Sequence, residues 1–275
     1  MAPTLAVVGR MTSGAPLGEA SPGPSPASAT PSPLPPPHTM SLEVAEVHDL
    51  GPSLREIRLK GAGLRGFQHA PGQDLMLRLP LDSSSMVNRR YSIRRADGSA
   101  GHVDLNVVLH GDGPAARWAG AARPGQQLPE VVGPRGKITW DPAAAWHLFL
   151  GDETYISAVF AMLGALPAEA LALAVLEVTG PDDELPCDSR ADAQVRWLHR
   201  GGRSPGDPEK LLEVLEAWSI PPGSGHIYIA AEVRVALSLR DHLVARGFSR
   251  EQISAKGYWS RGRANASRGE PDEPE

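Results

Sequence analysis

The stretch NRRYSIRR, Asn88 to Arg95, sets four guanidinium groups around one phenol ring and one hydroxyl. Arginine is a rigid fork that grips a phosphate or carboxylate through two parallel hydrogen bonds. Tyrosine offers a flat apolar face, and a serine hydroxyl both donates and accepts. Gathered at one strand end, these groups suit a flat, anionic, hydrogen-bonding ligand. A solvated run of charge on an edge strand uses the same residue types, so the tract alone does not decide.

A second stretch, HGDGPAARWA from His110 to Ala119, puts a glycine-bearing turn before an alanine-rich helix. The amides and dipole at a helix start favour an anion. Gly113 allows close backbone approach, and a proline at the first helical position sacrifices no hydrogen bond. His110 equally suits a strand-end histidine that bonds locally. Further candidates are GDET at Gly151–Thr154, Glu232 at a strand end, and Tyr258–Trp259 on the last strand. An acid at a strand-to-helix step can meet a ligand or simply cap the helix.

The elements that must position these residues fall into two rhythms. From Ser41 to about Ala143, short runs alternate with period two: LEVAEVHDL, LREIRLKG, QDLMLRLP, RRYSIRRA, HVDLNVVLH and GKITW. Turn residues separate them, which predicts a six-stranded antiparallel barrel interrupted by one helix at GDGPAARWAGAA. GPRGK, Gly133 to Lys137, reads as a turn that closes it. After Asp141–Ala145 apolar strands and helices alternate: AWHLFLG, ETYISAVFAMLGALP, ALALAVLEV, QVRWLHR, PEKLLEVLEAW, HIYIAA, EVRVALSLRDHLVARG and ISAKGYW. That pattern predicts a parallel sheet covered on both faces, with SREQ as a capping box before the last strand. The expected boundaries are a Pro/Ser-rich extension at 1–39, the barrel at 40–143, the α/β domain at 144–263 and an acidic tail at 264–275.

Residues 1–39 hold ten prolines and only Arg10 and Glu19 as charged groups. Such a segment cannot build a core. It reads as disordered, or as lying upstream of a start at Met40. The formal net charge of -5 does not suit a nucleic-acid partner. A lone cysteine, Cys187, builds neither an internal disulfide nor a thiolate metal site. No apolar run is long enough to span a bilayer, and the N-terminus lacks a secretory apolar region. A cytoplasmic monomer without membrane contact is the expectation.

A barrel followed by an α/β unit resembles the ferredoxin-reductase-like flavoenzymes, and Arg89-Arg90-Tyr91-Ser92 resembles their R-x-Y-[ST] flavin motif. With HGDGPAARWA, GDET, YIAAE and GYW in that order, residues 42–263 resemble the siderophore-interacting proteins, the FAD-dependent ferric-siderophore reductases. The resemblance implies that NADPH or NADH reduces FAD, which passes electrons to Fe(III) held by a siderophore. It assigns FAD to Arg89, Tyr91 and Ser92, and its phosphates to His110, Gly111, Asp112, Gly113, Ala115 and Ala116. Asp152, Glu153, Thr154, Glu232, Tyr258 and Trp259 would line the nicotinamide crevice. Arg90, Arg94, Lys256 and Arg261, with Arg95 and Arg263, would meet an anionic ferric siderophore.

Three positions depart from the family pattern: Ala231 in place of glycine, Ser157 in place of proline, and a bulky Tyr155. A methyl at 231 is expected to crowd the pyridine nucleotide. A ferredoxin donor, a general NAD(P)H:flavin or diaphorase-type reductase, and a flavin- or siderophore-binding protein with a decayed donor site stay open.

Overall fold

Leu75, Leu77 and Leu79 are buried, while Arg78 and Pro80 between and after them are exposed. This alternation closes the first half of the chain around one apolar interior. The computed structural model describes residues 36–82, 84–109 and 113–262. Its first unit contains β1 (His38–Asp49), β2 (Leu54–Lys60), β3 (Asp74–Pro80), β4 (Met86–Asp97), β5 (His102–Val108) and β6 (Gln127–Arg135), with α1 (Pro114–Ala121) before β6. The strands form a closed antiparallel barrel in the order β1-β2-β5-β4-β3-β6. Helix α1 buries Trp118 and Ala119 against that interior.

The sixth strand is not where the sequence pattern put it. Gly136–Trp140 is a loop, and Gln127–Arg135 closes the barrel despite Pro129 and Pro134. Proline interrupts a ladder because it has no N–H. Both prolines sit at register shifts: Pro129 opposite the irregularity at Met40/Leu42 of β1, and Pro134 opposite that at Asp74/Met76 of β3. The bulges absorb the missing donors. Gly133 is required there, because a Cβ would strike the Leu75 side chain and lie 3.2 Å from the Asp74 carbonyl oxygen.

The second unit contains β7 (Trp146–Asp152), α2 (Ile156–Ala165), β8 (Leu171–Val178), β9 (Asp192–His199), α3 (Glu209–Ala217), β10 (Gly225–Glu232), α4 (Val233–Ala245) and β11 (Ile253–Trp259). The sheet is parallel, in the order β11-β10-β7-β8-β9. Alternate residues of each strand face opposite layers. Phe149, Leu176 and Tyr228 pack with α2, whereas Leu148, Leu150, Ile227 and Ile229 pack with α3 and α4. The expected capping box is present at Ser249 and Gln252. The chain runs from β7 outward to β9 and then returns to β10 beside β7. The strand order therefore reverses between β7 and β10, where open α/β sheets bind ligands beyond their carboxyl ends.

Helix α2 also faces the barrel. Leu54 of β2 joins its apolar cluster, and the Arg94 guanidinium carbon lies 5.4 Å from the Phe160 ring centre. Ser53 donates from its N and Oγ to Asp183 Oδ1, at 3.1 and 2.6 Å. The connecting segment is held as well: Asp141 N donates to Tyr228 Oη at 2.7 Å. Beside that phenol, the register partners His147 and His226 stack on the Tyr228 ring at 6.0 Å and 4.6 Å.

Burial pushes the pKa of both histidines down. The unfolded chain, with histidine near 6.5, then binds more protons than the folded chain. Their contribution to stability is complete above about pH 6.5 and is lost as the pH falls below it. The two histidines should therefore pull the melting temperature down between pH 7.5 and 5.5. The double variant His147→Gln, His226→Gln should show a smaller drop in the same scan.

Candidate functional site

Strand β4 carries the arginine-tyrosine-serine tract to the junction of the two units. Tyr91 lies 6.3 Å from Trp118 of α1, ring centre to ring centre, at 37°. Its Oη is buried and has no hydrogen-bond partner among the described residues. Burial holds that phenol well above its usual pKa. Arg89 donates from Nη1 to the Asn88 carbonyl at 2.9 Å and has no carboxylate partner among the described residues. Nearby, α1 starts at Gly113 without a side-chain cap and without an acid in its first turn. A Cβ built on Gly113 meets nothing within 4 Å among the described residues.

An uncompensated guanidinium, an uncapped helix start and an orphaned phenol fit a flavin dinucleotide, whose pyrophosphate needs the first two. Ala115 packs on the barrel core, and Ala116 lies beside it in the first turn of α1. His110, Gly111, Asp112 and Arg263 lie outside the described residues.

Ser92 is buried, and its Oγ lies 3.1 Å from Tyr258 Oη on β11. Its register partner is Asp74. Asp74 takes a two-pronged pair from Arg90, Nε to Oδ1 at 3.0 Å and Nη2 to Oδ2 at 2.8 Å, and Lys256 Nζ approaches Oδ2 at 3.7 Å. Arg90 and Lys256 thus converge on one carboxylate between barrel and sheet, and Lys256 is only 5% exposed. The other expected cations do not join them. Arg94 lies over Phe160. Arg95 pairs with Glu56 and Asp104 on the barrel wall. Arg261 donates to the Pro205 carbonyl. The structure does not assemble these arginines into a single open mouth.

The carboxyl ends of β7, β10 and β11 make the opposite wall. Asp152 Oδ1 accepts from Thr154 N at 3.0 Å and Thr154 Oγ1 at 2.5 Å, and Oδ2 accepts from Trp259 Nε1 at 2.8 Å. Burial, followed by the Glu153 charge, pushes Asp152 up to about 6. Glu232 Oε2 accepts from Arg234 N and Val235 N, at 2.6 and 3.3 Å, and so caps α4.

Glu153 is bound elsewhere. Arg200 grips it at 2.6 and 2.7 Å and also reaches Glu177 at 3.3 Å and Thr179 Oγ1 at 2.9 Å, at the carboxyl ends of β7, β8 and β9. Burial raises the pKa of Glu177, against the pull of Arg200. Sequence reasoning missed Arg200, Glu177 and Asp74, because each is a single polar residue at a strand end whose partner is remote in sequence. The one available signal was an acid closing the apolar run ALALAVLE.

The family departures turn out to be core features. Ala231 is 1% exposed and packs in the α3/α4 layer, so its methyl does not crowd the crevice as expected. Tyr155 is buried, with Tyr258 edge-on at 5.6 Å. Gly151 makes room for it, since a Cβ there would lie 2.8 Å from Tyr155 Cδ1. Ser157 is buried with its Oγ unpartnered among the described residues.

Gly113→Leu meets no described neighbour but puts a poor N-cap residue at the start of α1, so apo-protein stability should fall by only about 1 kcal/mol. FAD retained through gel filtration should fall at least about tenfold, as about 1.4 kcal/mol of lost binding would give. Arg200→Ala leaves two buried carboxylates without their cation and should cost about 3–5 kcal/mol in a denaturant titration.

Comparison with known proteins gives this architecture its relatives. Residues 144–262 match the family model described as siderophore-interacting protein, and residues 79–138 match the siderophore-interacting FAD-binding domain. An uncharacterised protein of Mycobacterium tuberculosis is 32% identical over 257 residues, covering 81% of this chain and 90% of that one. The crystal structure of a siderophore utilization protein from T. fusca superposes with a TM-score of 0.78 at 29% identity, covering 85% of this chain and 97% of that one. A ferric vibriobactin reductase of Vibrio cholerae is 29% identical over 182 residues, covering 64% of this chain and 66% of that protein.

Proposed function

The chain belongs to the siderophore-interacting protein family, and from that premise we propose that it is a flavin-dependent reductase of ferric siderophores. FAD is its cofactor, NADH or NADPH its electron donor, and the cytoplasm its place of work. The observation that carries the reading is the meeting at one junction, where Ser92 reaches Tyr258, of an anion grip, Arg89 with the α1 start, and the carboxyl ends of the sheet at the reversal of its strand order. Bound FAD supplies the conversion of a two-electron donor into one-electron reduction of Fe(III).

The protein's own residues bind and orient. Arg89 and the amides at the start of α1 hold the pyrophosphate. Tyr91, backed by Trp118, walls the flavin ring. The Ser92 hydroxyl, which lies 3.1 Å from Tyr258 Oη, would bond the polar edge of that ring. The α2–barrel contact closes the back of the junction against water. Arg90 and Lys256 fix the wall through Asp74, while Arg94 and Arg261 are engaged by Phe160 and by the Pro205 carbonyl.

The experiment is anaerobic. NADH or NADPH should bleach the visible flavin band of the loaded protein, and a ferric siderophore should restore it faster than a simple ferric chelate does. Equal reoxidation by free chelates and dyes would make the protein a general diaphorase. Failure of both nucleotides to bleach it, with bleaching by reduced ferredoxin, would replace the donor.

A further inference from the structure

We infer that the Asp152–Trp259 pair is a strap across the dinucleotide crevice, and that Asp152 is the positioning residue that holds it shut. The inference rests on the crevice being the donor's site, as proposed above. Strand β10 lies between β7 and β11, so Asp152 and Trp259 stand on strands two places apart. Two strand spacings are roughly 9–10 Å. The indole must therefore extend over the end of β10 for its Nε1 to reach Asp152 Oδ2 at 2.8 Å. It passes above Ala231 and Glu232, the register neighbours of Gly257 and Trp259. This is the point where the strand order reverses.

The strap has a second anchor. Past Trp259, Arg261 N donates to Glu232 Oε1 at 3.3 Å, and its guanidinium donates to the Pro205 carbonyl in the loop before α3, whose Gly206 lies against Glu232. Residues 259–261 are therefore tied to the ends of β7 and β10 and to the loop before α3. A dinucleotide laid on these strand ends must displace the indole. Ala231, the departure that pointed to a crowded site, contributes nothing to the barrier, because its methyl faces the opposite layer.

Asp152 is suited to this role. As a carboxylate it accepts on both oxygens at once, from Thr154 on Oδ1 and Trp259 on Oδ2. Protonation turns one of those oxygens into a donor and removes one acceptor site. The groups that face it are Glu153, Thr154 and Trp259, with Glu177 and Arg200 in the next layer. Burial and the Glu153 charge place its titration at about pH 6. The strap is tight above that pH and loosens below it.

The test is calorimetric titration of the FAD-loaded protein with oxidised NAD and, separately, oxidised NADP, which avoids turnover. Trp259→Phe keeps a ring but removes the donor. It should bind dinucleotide about tenfold to about a hundredfold more tightly than wild type, the range expected for one hydrogen bond to a carboxylate. Wild-type affinity should rise as the pH falls from 7.5 to 5.5, and Trp259→Phe should lose that dependence, which a purely structural tryptophan would not confer. Asp152→Asn, which retains one carbonyl acceptor, should lie between the two. Equal or weaker binding by both variants, with dinucleotide still bound by wild type, overturns the strap alone. No binding by any of the three proteins, with FAD retained, overturns the strap together with the reading of the crevice as a nucleotide site.

Discussion

One buried carboxylate carries much of the architecture. Asp74, at the start of β3, is gripped by Arg90 from the neighbouring barrel strand and approached by Lys256 from the last strand of the sheet. A carboxylate so far from water is tolerable only with such partners. It ties the barrel to the last strand of the sheet. Ser92, its register partner, inherits that placement and meets Tyr258. The flavin motif and the crevice face each other because this junction is charged and dry, whereas most of the remaining contact is apolar packing on α2.

The sheet's carboxyl edge is held mainly by its own side chains. Arg200 spans Glu177 and Glu153, Asp152 holds Thr154 and Trp259, and Glu232 caps α4. These bonds use up polar groups that a nucleotide would otherwise meet. The barrel edge is the reverse case: Arg89 and the start of α1 carry positive charge that no described carboxylate answers. The barrel side of the junction carries the unanswered positive charge among the described residues, and the sheet side is tied to its own tryptophan.

Much of this was legible in the sequence because local physics writes it there. Period-two alternation located five barrel strands, and the alternation of apolar strands with amphipathic helices located the whole parallel sheet. The sixth strand was hidden because Pro129 and Pro134 mark turns almost everywhere, except where bulges excuse them from the ladder. At the site, Arg89, Tyr91 and Ser92 could be read as a motif. That Arg90 and Lys256 would serve one buried acid could not, because Lys256 is remote in sequence and reaches Asp74 only through the packing of the sheet on the barrel, while Arg90 reaches it across the β3–β4 pair. For the same reason a methyl at Ala231 looked obstructive on paper and proved to face the core.

The central claim is that the barrel face grips a dinucleotide flavin through its pyrophosphate. The direct measurement is a fluorescence-quenching titration of the flavin-free protein with FAD and, in parallel, with FMN, which lacks the pyrophosphate. The account predicts FAD binding at least about tenfold tighter, the order expected when charge-assisted contacts are lost. Equal affinities, or no binding of either flavin, would contradict it.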